Sequence, residues 1–401
     1  MLAVLRRRDF ALLWTGGLVS VAGDWVLNAA LPFFVYETTG STVATAGMIV
    51  ARLAPTVVLG SVAGVFVDRW SRKRVLVVAS LLQAATVALL LLLPGEGWLW
   101  VVFAVAVVES VVASFSAPAE SALLPTLVDE SELLAANALN TLNNRIGRLA
   151  GAPLGGTLLA YFGLEAVVLV DVATFVVAAA LIAPIGARRA PRVATADAGS
   201  ALKGFSNEWA EGLRLVAGDR TVALLFLVFG LMTFGGTMLD PLTVAWVRDV
   251  LEEGPQVFAW ILTVHAASGI FGSLFVGQFG RRFAPRVLIG WGSLVAAAAL
   301  ALRYNLPSIP LALLMSAVGG VTSVASSIGA ETLAMRSVRD EFRGRVFGSL
   351  NATLGLLSLA GAALGGLLAE VVGIVPMLNV ASALTALAGL VVLRAFAPRR
   401  T

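Results

Sequence analysis

GAPLGG at residues 151–156 and GAALGG at residues 361–366 are one six-residue pattern written twice, and the reading of the chain turns on that repetition. Upstream of each copy the correspondence continues. Ala119-Glu-Ser-Ala is matched by Ala330-Glu-Thr-Leu and Asp129-Glu by Asp340-Glu, at an offset of about 211 residues, and GVFVDRW (64–70) faces GQFGRRF (277–283). Several matches in one order and at nearly one offset point to a duplicated half. Within GRLAGAPLGG (147–156), Gly147, Gly151 and Gly155 recur every four residues, with Gly156 beside them. A helix with such a face lets a second helix backbone approach closely.

What lies between the repeats is overwhelmingly apolar. Of 401 residues 59% are hydrophobic and 13% charged, and the mean hydropathy is +0.92. The charged share is about half that of a soluble domain. Apolar stretches long enough to cross a hydrocarbon layer of about 30 Å as helices recur throughout. They predict an all-α membrane protein with twelve transmembrane spans near 9–36, 42–67, 74–94, 98–126, 138–161, 164–186, 221–247, 256–280, 286–304, 308–335, 345–372 and 376–396. The alternation of a β-barrel is absent. One long polar stretch, 187–220, divides the spans six and six, giving an N-terminal bundle (1–186), a linker and a C-terminal bundle (221–401). In the linker, Leu202, Phe205, Trp209, Leu213 and Val216 oppose Asn207, Glu208, Glu211 and Arg214, which predicts an amphipathic helix on the inner membrane surface. Two pseudo-symmetric six-helix bundles are an arrangement that holds a solute between the halves near the bilayer midplane.

The net charge of +4 and the pI near 10.1 would suggest nucleic acid in a soluble chain. Here the bases are sided. Arg6 to Arg8, the cluster 69–74, Arg145, Arg148, Arg188, Arg189, Arg281, Arg282, Arg343 and Arg345 fall at one set of span ends, whereas Arg248 and Arg303 fall at the other. That asymmetry predicts both termini in the cytoplasm and no nucleic-acid partner. With no cysteine, one histidine and no G-x-x-x-x-G-K-[ST] loop, neither a metal, a cofactor, ATP-driven pumping nor an enzyme is expected. The start, MLAVLRRRDFALLW, enters a span without a small-residue cleavage site, so no removable signal peptide is expected.

The cluster after span two gives the pattern a family. Gly64, Asp68, Arg69, Arg72 and Arg74 fit G-x-x-x-D-R-x-x-R-x-R. With SAPAESALLPTLVDESELLAANAL (116–139) and EFRGRVFGSLNATLGLLSLAGAALGG (341–366), the whole chain resembles the major facilitator superfamily, in the bacterial exporter branch of macrolide efflux and enterobactin export proteins. The resemblance implies a multi-pass protein of a prokaryotic plasma membrane. It also implies that Asp68 and its arginines latch the two halves on the inner side, with Arg343 and Arg345 as opposite members. The arginines alone would serve equally to enforce inside orientation. In the second copy Gly277 is kept, but Arg281 stands where the acid would be. Exporters of the superfamily carry G-x-x-x-G-P-x-x-G-G in span five; here Pro153 sits one place later, so the run Gly147, Gly151, Pro153, Gly155, Gly156 marks either export or ordinary tight packing.

Charges inside spans are costly unless they face a partner or a cavity. Asp24 in span one, Arg52 in span two and Glu109 in span four fall at similar depth and are the proton-coupling candidates. An arginine beside a carboxylate favours its ionised form, and separating them favours proton uptake. A static Asp24–Arg52 pair and a cation-binding Glu109 are the plainer alternatives. Asp171, Asp240, His265, Trp25 and Phe34 are candidates for the substrate cavity, with Trp14, Phe33 and Trp260 as further aromatics; Asp240 before Pro241 would alternatively mark a helix break. Together these residues and the resemblance predict a monomeric secondary transporter, a proton-coupled antiporter exporting small amphipathic compounds of drug or macrolide type by alternating access. Export of a siderophore or lysolipid is the near alternative. A non-transporting receptor or scaffold is the alternative of another class.

Overall fold

A computed structural model describes residues 2–67, 69–92, 99–186, 218–338 and 342–395. The latch acid Asp68, the second-half acid Asp340 and the amphipathic linker segment 202–216 lie outside the described residues.

The described chain is helical almost throughout. The first helices are α1 (Arg8–Thr39), α2 (Thr42–Val67), α3 (Arg72–Ala88), α4 (Leu99–Leu123) and α5 (Leu133–Ile182). After the linker come α6 (Arg220–Asp249), α7 (Pro255–Phe279), α8 (Pro285–Asn305), α9 (Ile309–Ser337), α10 (Arg343–Val372) and α11 (Ile374–Ala395). Helix starts are set by local chemistry. Asp219 accepts hydrogen bonds from the Thr221 and Val222 amides at 2.7 and 3.3 Å, and Pro255 and Pro285 open α7 and α8, where a missing N–H costs nothing. Ahead of α5, Asp129 and Glu132 form a capping box.

Among the described residues, eleven helices are long and apolar enough to cross a membrane, against the twelve spans expected. The difference lies in α5, which covers both predicted spans five and six. A straight helix of its 50 residues would extend about 75 Å, more than twice the hydrocarbon thickness. Gly163, at φ 75° and ψ −176°, interrupts it with a backbone conformation open essentially to glycine alone, so two helices meet there.

The chain separates into two compact units, Met1–Thr38 with Met48–Gly204, and Thr39–Gly47 with Phe205–Thr401. The sequence division placed 39–47 in the first half; the structure groups it with the second. Thr42 Oγ1 donates to the Gly366 carbonyl at 2.8 Å, Ser41 Oγ donates to Glu370 Oε1 at 2.5 Å, and Ala46 occupies the space that a side chain on Gly366 would need.

Each unit is organised around a glycine-lined helix pair. In the first, a Cβ on Gly147, Gly151 or Gly155 of α5 would strike Val21, Ala22 or Val26 of α1, the last two at their backbone carbonyls. In the second, a Cβ on Gly361 or Gly365 of α10 would strike Phe234 or Met238 of α6. The repeated motif is thus a repeated close contact between helices. Around these pairs the first unit packs Phe10, Leu13, Leu76, Leu123, Leu139 and Ile182, and the second packs Val228, Ile289, Ala330, Ala388 and Val392.

Candidate functional site

Five helices of the first unit each carry a charged or amide side chain within an apolar run: Asp24 in α1, Arg52 in α2, Gln83 in α3, Glu109 in α4 and Asp171 in α5. Asp24 interacts electrostatically with Arg52, Glu109 and Asp171, so the three sequence-selected residues and one cavity candidate form a single group. Gln83 Nε2 donates to Glu109 Oε2 at 3.1 Å, leaving Glu109 Oε1 buried without a hydrogen-bond partner. Next to Glu109, Ser110 Oγ lies 3.0 Å from Thr56 Oγ1, which ties α4 to α2.

Asp171, expected to line the cavity, is instead fully buried. Gly23 makes room for it: a Cβ there would strike Thr174 and lie 2.5 Å from Asp171 Oδ1. Thr174 Oγ1 donates to the Asp171 carbonyl at 2.7 Å, while Asp171 Oδ2 has no hydrogen-bond partner. Asp171 therefore belongs to the acid group and not to a solvent-lined wall. Trp25 is half-buried under the Arg148 guanidinium, 4.6 Å from the ring centroid. Arg148, grouped by sequence with the bases at inner span ends, thus stands beside α1; its signal was its place directly after Gly147 on the α1-facing side of α5. Gln83 was also missed, and a single glutamine inside an apolar run was the available signal. Phe34 is half-buried, whereas Phe33 is fully buried in the core.

The remaining candidates belong to the second unit. Asp240 is exposed, and α6 runs unbroken through Pro241, so the residue marks no helix break. His265 is half-buried, with Nδ1 facing Gly319, and its carbonyl accepts from Ser268 Oγ at 3.0 Å. Trp260 is 42% exposed. Arg303, read as an outer-end charge, is only 6% exposed: its guanidinium lies 4.7 Å from the Tyr304 ring centroid and 5.6 Å from that of Trp246, with Nη1 3.3 Å from Ser316 Oγ.

The charge cluster that opens α3 is divided in its tasks. Arg72 donates to the Ala122 carbonyl at 2.8 Å in the last turn of α4, where carbonyls lack intrahelical donors, and Lys73 donates to the Ile185 carbonyl at 2.9 Å, three residues beyond the end of α5. Arg69 and Arg74 are exposed, and a Cβ on Gly64 would meet nothing within 4 Å. In the second unit Arg343 donates to the Met335 carbonyl at 2.8 Å, and Arg345 is exposed. Near the N-terminus Arg7 pairs with Asp129, and with Glu132 at 2.6 Å. Its hydrogen bond to Asp129 holds the guanidinium above its ordinary pKa.

The whole arrangement has relatives. Macrolide efflux protein A of Streptococcus pyogenes is 27% identical over 373 residues, 91% of this chain and 90% of that protein. The multidrug efflux pump Tap of Mycolicibacterium fortuitum is 26% identical over 385 residues, 92% of this chain and 91% of its own. The crystal structure of a bacterial homologue of the iron transporter ferroportin in an inward-facing state superposes with a TM-score of 0.77 at 17% identity, over 98% of this chain and 99% of that one, a likeness of fold. A family model described as a transmembrane secretion effector matches residues 1–400, and the chain belongs to that family of major facilitator superfamily membrane transporters.

Proposed function

We propose that the protein is a proton-coupled antiporter that exports small amphipathic organic compounds from a bacterial cytoplasm or inner leaflet. The observation that carries this reading is the convergence of Asp24, Glu109 and Asp171 with Arg52 in the first unit, each from a different membrane-spanning helix. Inert structure has no use for three carboxylates at that depth. Each proton taken up removes one negative charge from a mutually repelling set, which gives protonation a direct grip on the packing of α1, α2, α4 and α5. Glu109 Oε1 is the proton's landing atom, because Gln83 already occupies Oε2. Arg52 opposes Asp24 and returns it to the ionised form when the proton leaves. Trp25 and Phe34, half-buried on α1, supply aromatic surface for the solute. The names of the efflux relatives support the substrate class. Both termini lie in the cytoplasm, and the GVFVDR loop with Arg343 and Arg345 forms the inner latch.

The reading is tested by flux in proteoliposomes. An inside-acid gradient should drive accumulation of a macrolide or a cationic dye above its external concentration, and nigericin should abolish it. Equilibration without gradient-driven accumulation, across a panel of amphiphiles, would overturn proton antiport.

A further inference from the structure

We propose that Glu120 is the group through which the coupling proton leaves toward the cytoplasm, reached from Asp24 and Glu109 along matching faces of α1 and α4. The proposal rests on the proton-antiport reading. In the topology of that reading α4 runs inward, and Glu109 and Glu120 are its only ionisable side chains. Glu120 follows Glu109 by eleven residues, three turns of helix, so it lies on the same face about 16 Å nearer the inner end. Ser116 falls between them on that face, and its Oγ donates to the Val112 carbonyl at 3.4 Å. On α1, Gly17, Ser20 and Asp24 recur at spacings of three and four residues and form a second face of the same kind. Glu109, Ser116, Glu120, Gly17, Ser20 and Asp24 are all half-buried, neither packed into the core nor open to solvent.

The two faces converge at Gly17. A Cβ there would lie 3.8 Å from Glu120 Oε1 and 3.2 Å from Asn143 Nδ2. Asn143 is 2% exposed; its Nδ2 donates to the Trp14 carbonyl at 2.8 Å, and its Oδ1 is buried without a hydrogen-bond partner. The Asn140 side chain donates to the Glu120 carboxylate. The junction is thus short of a donor, which a proton arriving at Glu120 supplies as an O–H. The steps between acids and serines exceed one hydrogen bond, so water held by the hydroxyls carries the proton across them. Each transfer breaks one O–H bond as it forms the next: the Glu109 acid returns to carboxylate, Glu120 becomes the acid, and Glu120 then gives the proton to cytoplasmic water. In the second copy the alignment is absent. Glu331 stands at the repeated position, but it is exposed and accepts from Ser327 Oγ at 3.5 Å, and the place eleven residues before it is Gly320, packed against the His265 carbonyl. An acid three turns above the inner glutamate belongs to the first unit alone.

The experiment uses the full chain in inside-acid proteoliposomes with pyranine trapped in the lumen, and a panel of amphiphiles led by erythromycin and ethidium added to the bath. Proton release from the lumen, accumulation and substrate–substrate exchange are read together. The unaltered protein should release lumenal protons when a carried compound is added. Glu120→Gln should slow that release, and the accumulation, by more than about tenfold while exchange stays within about twofold, and Glu120→Asp should restore release. A merely structural role would lower exchange together with proton release. Glu165→Gln, at an exposed acid of α5 beyond the Gly163 break, should match the unaltered protein. A loss shared by exchange, or one that Glu120→Asp does not relieve, overturns the proposal. If Glu120→Gln does not fold, Ser20→Ala/Ser116→Ala decides the matter: slowed release with exchange intact supports the route, and unaltered release overturns it. No proton release by the unaltered protein with any member of the panel overturns the antiport reading itself. Release by the unaltered protein that Glu120→Gln leaves intact overturns the exit alone.

Discussion

The two units share a scaffold and differ in what they bury. In the first, α1 and α5 meet through Gly147, Gly151 and Gly155; in the second, α6 and α10 meet through Gly361 and Gly365, and in both the space of missing side chains is filled by the partner helix. Inside those matched frames, the first unit gathers Arg52, Glu109 and Asp171 around Asp24. The second buries Arg303 between Trp246 and Tyr304, with guanidinium Nε and Nη2 lacking hydrogen bonds, and leaves Asp240 exposed. Packing contacts constrain backbones, and duplication copies them intact. Charged groups answer to individual partners, so their chemistry diverged between the copies while the helix contacts did not.

The largest effect should come from breaking the shared scaffold. Gly151→Leu drives a branched side chain into the Ala22 carbonyl and should destabilise the first unit by at least about 3 kcal/mol, an overpacking cost at the upper end of its usual range. Gly361→Leu should do the same to the second through Phe234, and thermal unfolding of the purified protein would compare them. A silent Gly361→Leu would show that the repeat is matched in sequence but not in mechanical role. Gly163→Ala asks less: alanine in that backbone conformation costs about 1 to 2 kcal/mol, seen as a drop of a few degrees in the unfolding midpoint. No midpoint change would mean that the α5 break relaxes without glycine. Smallest of all should be Arg303→Met, within about 1 kcal/mol of the parent, because an apolar replacement removes a poorly satisfied charge. Ser316 keeps its 2.6 Å bond to the Ala312 carbonyl, and Trp246 its 3.3 Å bond to the Tyr304 carbonyl. A loss above about 3 kcal/mol would show that the buried arginine is itself a structural requirement of the second unit.

Much of this contrast was legible in the sequence, for identifiable reasons. A charge inside an apolar run has few tolerable surroundings, so Asp24, Arg52 and Glu109 announced a common environment. The glycine repeat announced its helix contact because only close approach requires that spacing. The turn at Gly163 falls in the short gap between predicted spans five and six. What escaped was pairing. Nothing in Arg72 or Lys73 says that each will reach a main-chain carbonyl of another segment while Arg69 and Arg74 line a groove. Arg148 was grouped with the bases at inner span ends and Arg303 lies near the end of predicted span nine, where an arginine normally reaches water; here aromatic rings receive both. Asp171 was recognised as embedded but taken for a cavity residue, because a linear pattern does not distinguish a wall from the interior behind it.

The central claim is that the first unit's acids carry the coupling proton, and the direct measurement is a paired one on Asp24→Asn and Glu109→Gln in proteoliposomes: gradient-driven accumulation alongside substrate–substrate exchange. Each variant should lose accumulation by more than about tenfold, as expected when a group essential for proton transfer is removed, while exchange stays within about twofold of the parent. Full gradient-driven accumulation in both variants would contradict the account.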